Sequence, residues 1–511
     1  MIFKGAVDKF LNRPLRNLGK AKEWEDIDSM LSCLEPKPVF VTEPYHHQKI
    51  CFYLLTKQPR MLELLDMGLG KSKIVLDAFR WHKAKGNARR LLVCVPNVVN
   101  LESWRNEIAL HAPDLKASYI EGDKVARFKA FHSPSDLCIT TYQGLNYLVC
   151  QKARSKLRID PVLLKWGRDD FDAVVWDETT AALMSHKSLS YQVARQISDG
   201  WRFAVGMTGT PVGRDPMVLW SQFNVVDRGE ALGRTLGMFR QAFFVSKSGY
   251  WGGMEYKFKQ KQTKNLHRMM ANSSIRYAAA ECVDLPPKVP VLRPVVMPDE
   301  AWAYYHAVLD RARERNLEQT SIVDTENVFI RLRQITSGFV SVGGKPSPLT
   351  ANPKLDALME LIDELPETEK LVVFNEFLHS GDVIVDALKE RGIGHARLCS
   401  KTTDKGGELR RFLNDPPCRV FVVNSQSGAL GLNLQTAHYV AVYESPVSPI
   451  VRQQLEARCL RQGQTETVFI YDLVCKNTID QRILGFLAEG RDLFRALVEG
   501  GLGVLKDRRR L

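Results

Sequence analysis

No stretch of the 511 residues approaches the roughly 18 consecutive apolar residues that a membrane-spanning helix needs, so no crossing of a bilayer is expected. Met1 to Lys20 carries scattered Lys and Arg but no apolar core followed by a small-residue cleavage site, which excludes a secretory signal and points to an intracellular protein. Cysteine is sparse: ten residues lie singly between Cys33 and Cys475, with no C-x-x-C pair and no Cys/His cluster at zinc-ligand spacing. Most are expected as buried thiols. Internal repeats with a period of about 20 to 50 residues are absent, as are low-complexity tracts.

What the chain does have is size and positive charge. Its length exceeds what one hydrophobic core usually serves, so two large domains are expected. Lys and Arg number 71 against 58 Asp and Glu, a formal charge of +13 that suits a polyanionic partner through counterion release and equally serves solubility. Short β-rich apolar runs alternate with helical patterns from about residue 60 to 225 and again from about 370 to 475, the texture of two parallel-sheet α/β domains. Strands are expected at Met61–Leu65, Leu91–Val95, Leu137–Thr141, Ala173–Trp176 and Phe203–Met207, then at Leu371–Phe374, Val420–Val423, Tyr439–Tyr443 and Val468–Tyr471. Between them, 226–350 reads as a helical insertion and connector, broken by Leu285-Pro286-Pro287-Lys288-Val289-Pro290 and closed by a linker, Gly343-Gly344-Lys345-Pro346-Ser347-Pro348. The expected division is an accessory segment 1–40, a first lobe 41–225, the insertion 226–350, a second lobe 351–480 and a basic helical tail 481–511.

The sharpest motif is Leu62-Glu63-Leu64-Leu65-Asp66-Met67-Gly68-Leu69-Gly70-Lys71-Ser72, an apolar strand running through a glycine turn into a helix. In a phosphate-binding loop, Met67 to Gly70 would close backbone N–H groups around phosphate oxygens, Lys71 would reach the β/γ-phosphates and Ser72 would ligate Mg2+. The strict pattern fails at Leu65, where the first glycine belongs, so an ordinary strand–turn–helix is the competing interpretation. Further on, Val174-Val175-Trp176-Asp177-Glu178 delivers two carboxylates to the end of an apolar strand, the edge where open α/β sheets bind ligands. Asp177 is placed to hold Mg2+ and Glu178 to orient the attacking water; two solvated acids are the alternative.

Together these residues resemble superfamily 2 helicases, in particular the Swi/Snf-type branch of DNA translocases, from about Pro44 to Asp480. The resemblance implies two tandem RecA-like lobes that hydrolyse ATP with Mg2+ and move along DNA, duplex favoured. It also implies that Gln48, in Pro44-Tyr45-His46-His47-Gln48, reads adenine. Leu92-Val93-Cys94-Val95-Pro96 with Trp104 and Glu107, and Ile139-Thr140-Thr141-Tyr142, are similar to the motifs that contact the tracking strand. Met207-Thr208-Gly209-Thr210-Pro211 resembles the motif whose hydroxyls couple the ATP site to nucleic acid, and Ser427 and Gly431 fall in or beside the family's fifth motif, with Gly431 counted toward the nucleotide. Within Gln454 to Gln464, Arg458 and Arg461 would lie one turn apart on one helix face and act on the γ-phosphate as arginine fingers. The family's carboxylate motif usually continues to a histidine, whereas Thr179 and Thr180 follow Glu178 here, which bears on coupling rather than hydrolysis.

A strand-separating or annealing helicase would carry the same motifs, and a nucleotide-gated switch with little turnover is the reading from another class. No nuclease constellation is visible, so a nuclease or a recombination factor would be a separate protein partner. The compact core suggests a bacterial or phage protein acting in the cytoplasm, nuclear only in a eukaryote.

Overall fold

The computed structural model describes residues 2–153, 156–209, 211, 216–248, 254–282, 286–314, 322–425, 432–460 and 464–490. The chain forms two compact units, Met1–Asp284 and Leu285–Leu511.

The first unit is built on strands β1 (Arg60–Leu65), β2 (Leu91–Val95), β3 (Ala117–Tyr119), β4 (Leu137–Thr141), β5 (Cys150–Ala153), β6 (Lys156–Ile159), β7 (Ala173–Trp176), β8 (Phe203–Met207), β9 (Phe244–Ser248), β10 (Met254–Phe258) and β11 (Ser274–Tyr277). Seven of them make one sheet in the order β11-β1-β8-β7-β2-β4-β3, with every pairing parallel. Alternation of side chains along each strand divides the core into two layers. Leu62, Leu64, Leu92, Cys94, Val174 and Trp176 pack into one. Met61, Leu65, Leu91, Val93, Val95, Val175 and Val205 pack into the other, against the helices His46–Lys57 and Lys71–Ala84. A parallel sheet buried on both faces explains why its strands read as unbroken apolar runs. The unassigned N-terminal segment joins this unit: Ala21, Ile27, Leu31 and Leu34 enter its second layer, and the Arg16 N–H donates to Asn272 Oδ1 at 2.6 Å.

The second unit carries β12 (Lys288–Val295), β13 (Phe339–Val342), β14 (Lys345–Pro348), β15 (Leu371–Asn375), β16 (His395–Leu398), β17 (Val420–Asn424), β18 (Tyr439–Val442) and β19 (Val468–Cys475). Six form a second parallel sheet, β12-β19-β18-β15-β17-β16. Helices Pro353–Glu364 and Leu378–Glu390 cover it through Leu358, Leu361, Ile362, Ile384 and Leu388. Both lobes are therefore RecA-like α/β layers, as the fold class expected.

The stretch expected as a separate insertion, 226–350, is instead divided between the two units. Its first part supplies β11 to the first sheet, and its helices Asp299–Glu314 and Ile322–Thr336 pack through Tyr305, Phe329 and Leu332 onto Ile479 and Ile483 of the second unit. The proline-rich break leads directly into β12, which pairs with β19 along its whole length. Pro290 and Pro294 are tolerated there because β12 is an edge strand. The expected linker is a hairpin turn, with Gly343 and Gly344 both at positive φ between β13 and β14.

Candidate functional site

In the first unit β1, β8 and β7 run side by side in register, Glu63 opposite Met207 and Trp176 opposite Gly206, so their C-terminal loops emerge at one edge. After β1 the chain turns through Gly68 and Gly70, at φ 82 and 71, before the helix that starts at Lys71. Gln48 lies close over this turn: a Cβ on Gly70 would lie 2.3 Å from its Nε2 and displace the amide. Buried Gln48 braces this turn: its Oε1 accepts the Tyr45 N–H at 3.0 Å and its Nε2 donates to the Leu69 carbonyl at 3.2 Å. His47 Nε2 lies 3.0 Å from the same carbonyl, and its burial holds the imidazole below its usual pKa. Both ends of the Gln48 amide thus bond to the chain's own backbone. Lys71 Nζ donates to the Leu65 and Asp66 carbonyls at 2.8 and 3.1 Å. Ser72 follows, half-exposed, in the helix's first turn.

At the end of β7, Asp177 Oδ2 accepts the Trp104 indole N–H at 2.9 Å, while Tyr142, stacked on Trp176, donates its hydroxyl to the Asp177 carbonyl at 3.0 Å. Burial pushes the Asp177 carboxyl up to about 6; the indole hydrogen bond and Lys71 act against that, and Glu178 adds to it. Glu178 occupies the left-handed region at φ 45, a conformation uncommon for a residue with a side chain. Its Oε1 accepts from the hydroxyls of Thr208, at 2.7 Å, and Thr180, at 2.5 Å. From the end of β8, the chain passes directly over the phosphate loop: a Cβ on Gly209 would lie 3.3 Å from the Leu65 carbonyl. One edge of one sheet therefore brings together Lys71, Ser72, Asp177, Glu178 and Thr208. Ser72 and Asp177 supply hard oxygen donors, the set that Mg2+ favours.

Other expected positions behave differently. Thr140 is fully buried, and the Thr141 hydroxyl oxygen accepts the Gly144 N–H at 2.9 Å as a helix cap. Trp104, expected at the tracking strand, is buried and serves Asp177 instead. Arg458 and the expected helical face part company because the helix Pro449–Glu456 stops first. The Arg458 N–H bonds back to the Leu455 carbonyl and the Arg458 carbonyl accepts from Leu434, which takes it out of the helical ladder. Thr210, Ser427, Gly431, Arg461 and residues 491–511 of the basic tail lie outside the described residues.

Sequence reading passed over Glu444 and gave Tyr142 and Thr180 no part in holding Asp177 and Glu178. Buried Glu444, just after β18, accepts the Glu376 N–H at 2.7 Å, the Phe377 N–H at 3.3 Å and the Ser380 hydroxyl at 2.5 Å, fixing the turn after β15. An acid directly after an apolar strand, as in Val440 to Glu444, was the available signal. Eight cysteines are buried, with Cys33 exposed and Cys282 intermediate. Among the described residues no helix is long and apolar enough to cross a membrane, and no cluster of His, Cys, Asp and Glu could hold a metal.

Comparison with known proteins gives the lineage. The chain is 25% identical to an uncharacterized ATP-dependent helicase of Mycoplasma pneumoniae over 85% of its length and 40% of that protein's. It is 24% identical to a CHD3-type chromatin-remodeling factor of Arabidopsis thaliana over 92% of its length and 39% of that protein's. The chain spans about two-fifths of the length of these curated relatives. Among solved structures it is similar to the Sulfolobus solfataricus SWI2/SNF2 ATPase core in complex with dsDNA, at 20% identity, 93% coverage of this chain, 97% of that one and a TM-score of 0.41. Residues 353–463 match the helicase conserved C-terminal domain, and 56–338, more than half of the chain, match the SNF2-related domain. The chain belongs to the SNF2-related family.

Proposed function

We propose that the chain is an ATP hydrolase that uses the energy of turnover to move along double-stranded DNA. The observation that carries this reading is the convergence of Lys71, Asp177 and Glu178 at one edge of the first sheet, in a member of the SNF2-related family. Lys71, whose Nζ donates to the Leu65 and Asp66 carbonyls, exchanges these bonds for the β/γ-phosphates of ATP. Glu178 accepts a proton from the attacking water and orients it. Ser72 and Asp177 would hold Mg2+, which when bound neutralises charge on the phosphates. Arg458 and Arg461 act, on the family resemblance, on charge developing at the γ-phosphate. The relatives' names support nucleic acid as the track: one is a CHD3-type chromatin-remodeling factor and another a chromodomain-helicase-DNA-binding protein.

The test compares ATPase rate with no nucleic acid, single strands, duplex, forks and RNA, and pairs displacement of a third strand from a triplex with unwinding of a plain fork. Duplex stimulation with triplex displacement and no fork unwinding is expected. Efficient fork unwinding with stimulation by single strands alone would replace the translocase reading with a strand-separating one. Binding led by the phosphate backbone should weaken with salt at a log–log slope of about −5 if roughly six phosphates are neutralised.

A further inference from the structure

Glu178 is held more closely than a water-orienting carboxylate needs for charge alone. Its backbone sits at φ 45 and ψ 67, fixed by the Asp177 N–H to the Cys94 carbonyl at 2.9 Å on one side and the Ala181 N–H to the Glu178 carbonyl at 2.8 Å on the other. The next residue, buried Thr179, donates to Gln222 Oε1 at 2.6 Å, and Gln222 Nε2 donates to the Pro211 carbonyl at 2.8 Å, which ties the turn to the segment after β8. Against this rigid frame two hydroxyls, Thr180 at 2.5 Å and Thr208 at 2.7 Å, converge on the same oxygen, Oε1. Each hydroxyl has one proton to give. The 3.4 Å approach of Thr180 to Thr208 is therefore a consequence of their sharing an acceptor rather than a bond between them.

We propose that Thr180 is a positioning residue for hydrolysis: with Thr208 it fixes Oε1 of Glu178, so that Oε2 is the oxygen turned to the attacking water. This rests on the reading of Glu178 given above. Thr180 stands where the family's motif usually has histidine, and the hydroxyl supplies the anchoring hydrogen bond that a shorter or apolar side chain would not. The arrangement also answers what the missing histidine costs. Contact between the carboxylate and the segment after β8 is kept, carried by the shared oxygen and by the Thr179–Gln222 bond.

The test measures kcat and KM for ATP on the full chain, with whichever nucleic acid stimulates the wild type best, for Thr180→Val, Thr180→Ser, Thr208→Val and Glu178→Gln. Valine keeps the shape and removes the hydroxyl. A hydrogen bond to a charged group is worth a factor of about 10 to 100, so Thr180→Val should lose that much in kcat with KM and thermal stability near wild type. Thr180→Ser should recover kcat to within about twofold, and Thr208→Val should fall in the same range as Thr180→Val. The inference is overturned if Thr180→Val keeps wild-type kcat, if its loss appears only in KM or only in stability, or if serine is as slow as valine. Glu178→Gln separates the two claims. If it turns over normally, the reading of Glu178 itself fails; if it is inactive while Thr180→Val is normal, only the positioning role fails.

Discussion

The ligand edge of the first sheet and two charge clusters of the second unit hold their charged side chains in opposite ways. At the ligand edge of the first sheet, the hydrogen bonds described for charged groups run to neutral partners: Lys71 to two carbonyls, Asp177 to an indole, Glu178 to two hydroxyls. Around Arg452 and Lys354 in the second unit, charge is held by charge. Arg452 pairs bidentately with Asp472 at 2.6 and 2.8 Å and with Glu456 at 2.6 Å, and Lys288 reaches the other oxygen of Glu456 at 2.8 Å. Almost fully buried Lys354 bonds Asp480 at 2.7 Å, whose other oxygen accepts from Thr336. A neutral partner gives up a charged group to a ligand without leaving a second charge stranded; an opposite charge does not. The contrast separates groups poised for exchange from groups that fasten the fold. Glu63 is a third case, a fully buried carboxyl in β1 with neither oxygen hydrogen-bonded among the described residues.

The largest effect should come from the neutral-held edge. Glu178→Gln, which keeps shape and removes the base, should cut stimulated turnover by about 10⁴-fold, or roughly 5.5 kcal/mol of barrier, while ATP still binds. Lys71→Ala should abolish turnover as well, but through loss of nucleotide binding, read as a rise in Kd for a fluorescent ATP analogue. Neither should lower the melting temperature appreciably. A marked loss of stability in either variant would erase the distinction between the two edges.

The charge-held edge should answer in the other currency. Lys354→Met strands Asp480 in a buried site and should destabilise the second unit by about 3 to 5 kcal/mol, followed by denaturant unfolding. Adding Asp480→Leu should recover most of that loss. Unchanged stability in the single variant would show that the ion pair is not a fastener.

Glu63 should give the smallest effect, visible only as a pH dependence. Burial pushes its carboxyl up to about 8, with Lys71 pulling it down. The folded chain therefore holds a proton that the unfolded chain releases near its ordinary pKa of 4.5. Between those values folding binds the extra proton, so this group's stabilisation is complete below 4.5 and is lost as pH rises through about 8. Glu63→Met removes the titrating group at similar length, and its unfolding free energy should change correspondingly less between pH 5 and pH 8. Parallel pH profiles for variant and wild type would place the sensitivity elsewhere.

The nine strands expected from apolar runs all appear within a few residues of their expected ends, because a sheet buried on both faces writes itself as continuous Val, Leu and Ile. Strands that escaped notice had mixed composition. β12 alternates exposed and partly buried residues and contains prolines, β3 is three residues long, and β11 reads Ser-Ile-Arg-Tyr. The phosphate loop and the carboxylate pair were legible for a different reason: their chemistry depends on residue types at short spacing, which the chain order preserves.

What sequence alone determined, then, is the inventory: two α/β halves, a glycine turn before Lys71, a carboxylate pair after an apolar strand, and the family they resemble. Partnership was decided only by tertiary structure. Trp104 and Tyr142 serve Asp177, Thr180 and Thr208 meet on one oxygen of Glu178, Gln48 turns inward to brace Leu69, and Thr140 is sealed in the core. Those roles depend on which strands are neighbours in the sheet. β1 lies beside β8, and β8 beside β7, although well over a hundred residues of chain separate β1 from β8. Hydrogen bonds reach only about 3 Å, so a side chain's partner is set by that lateral order and not by its place along the chain.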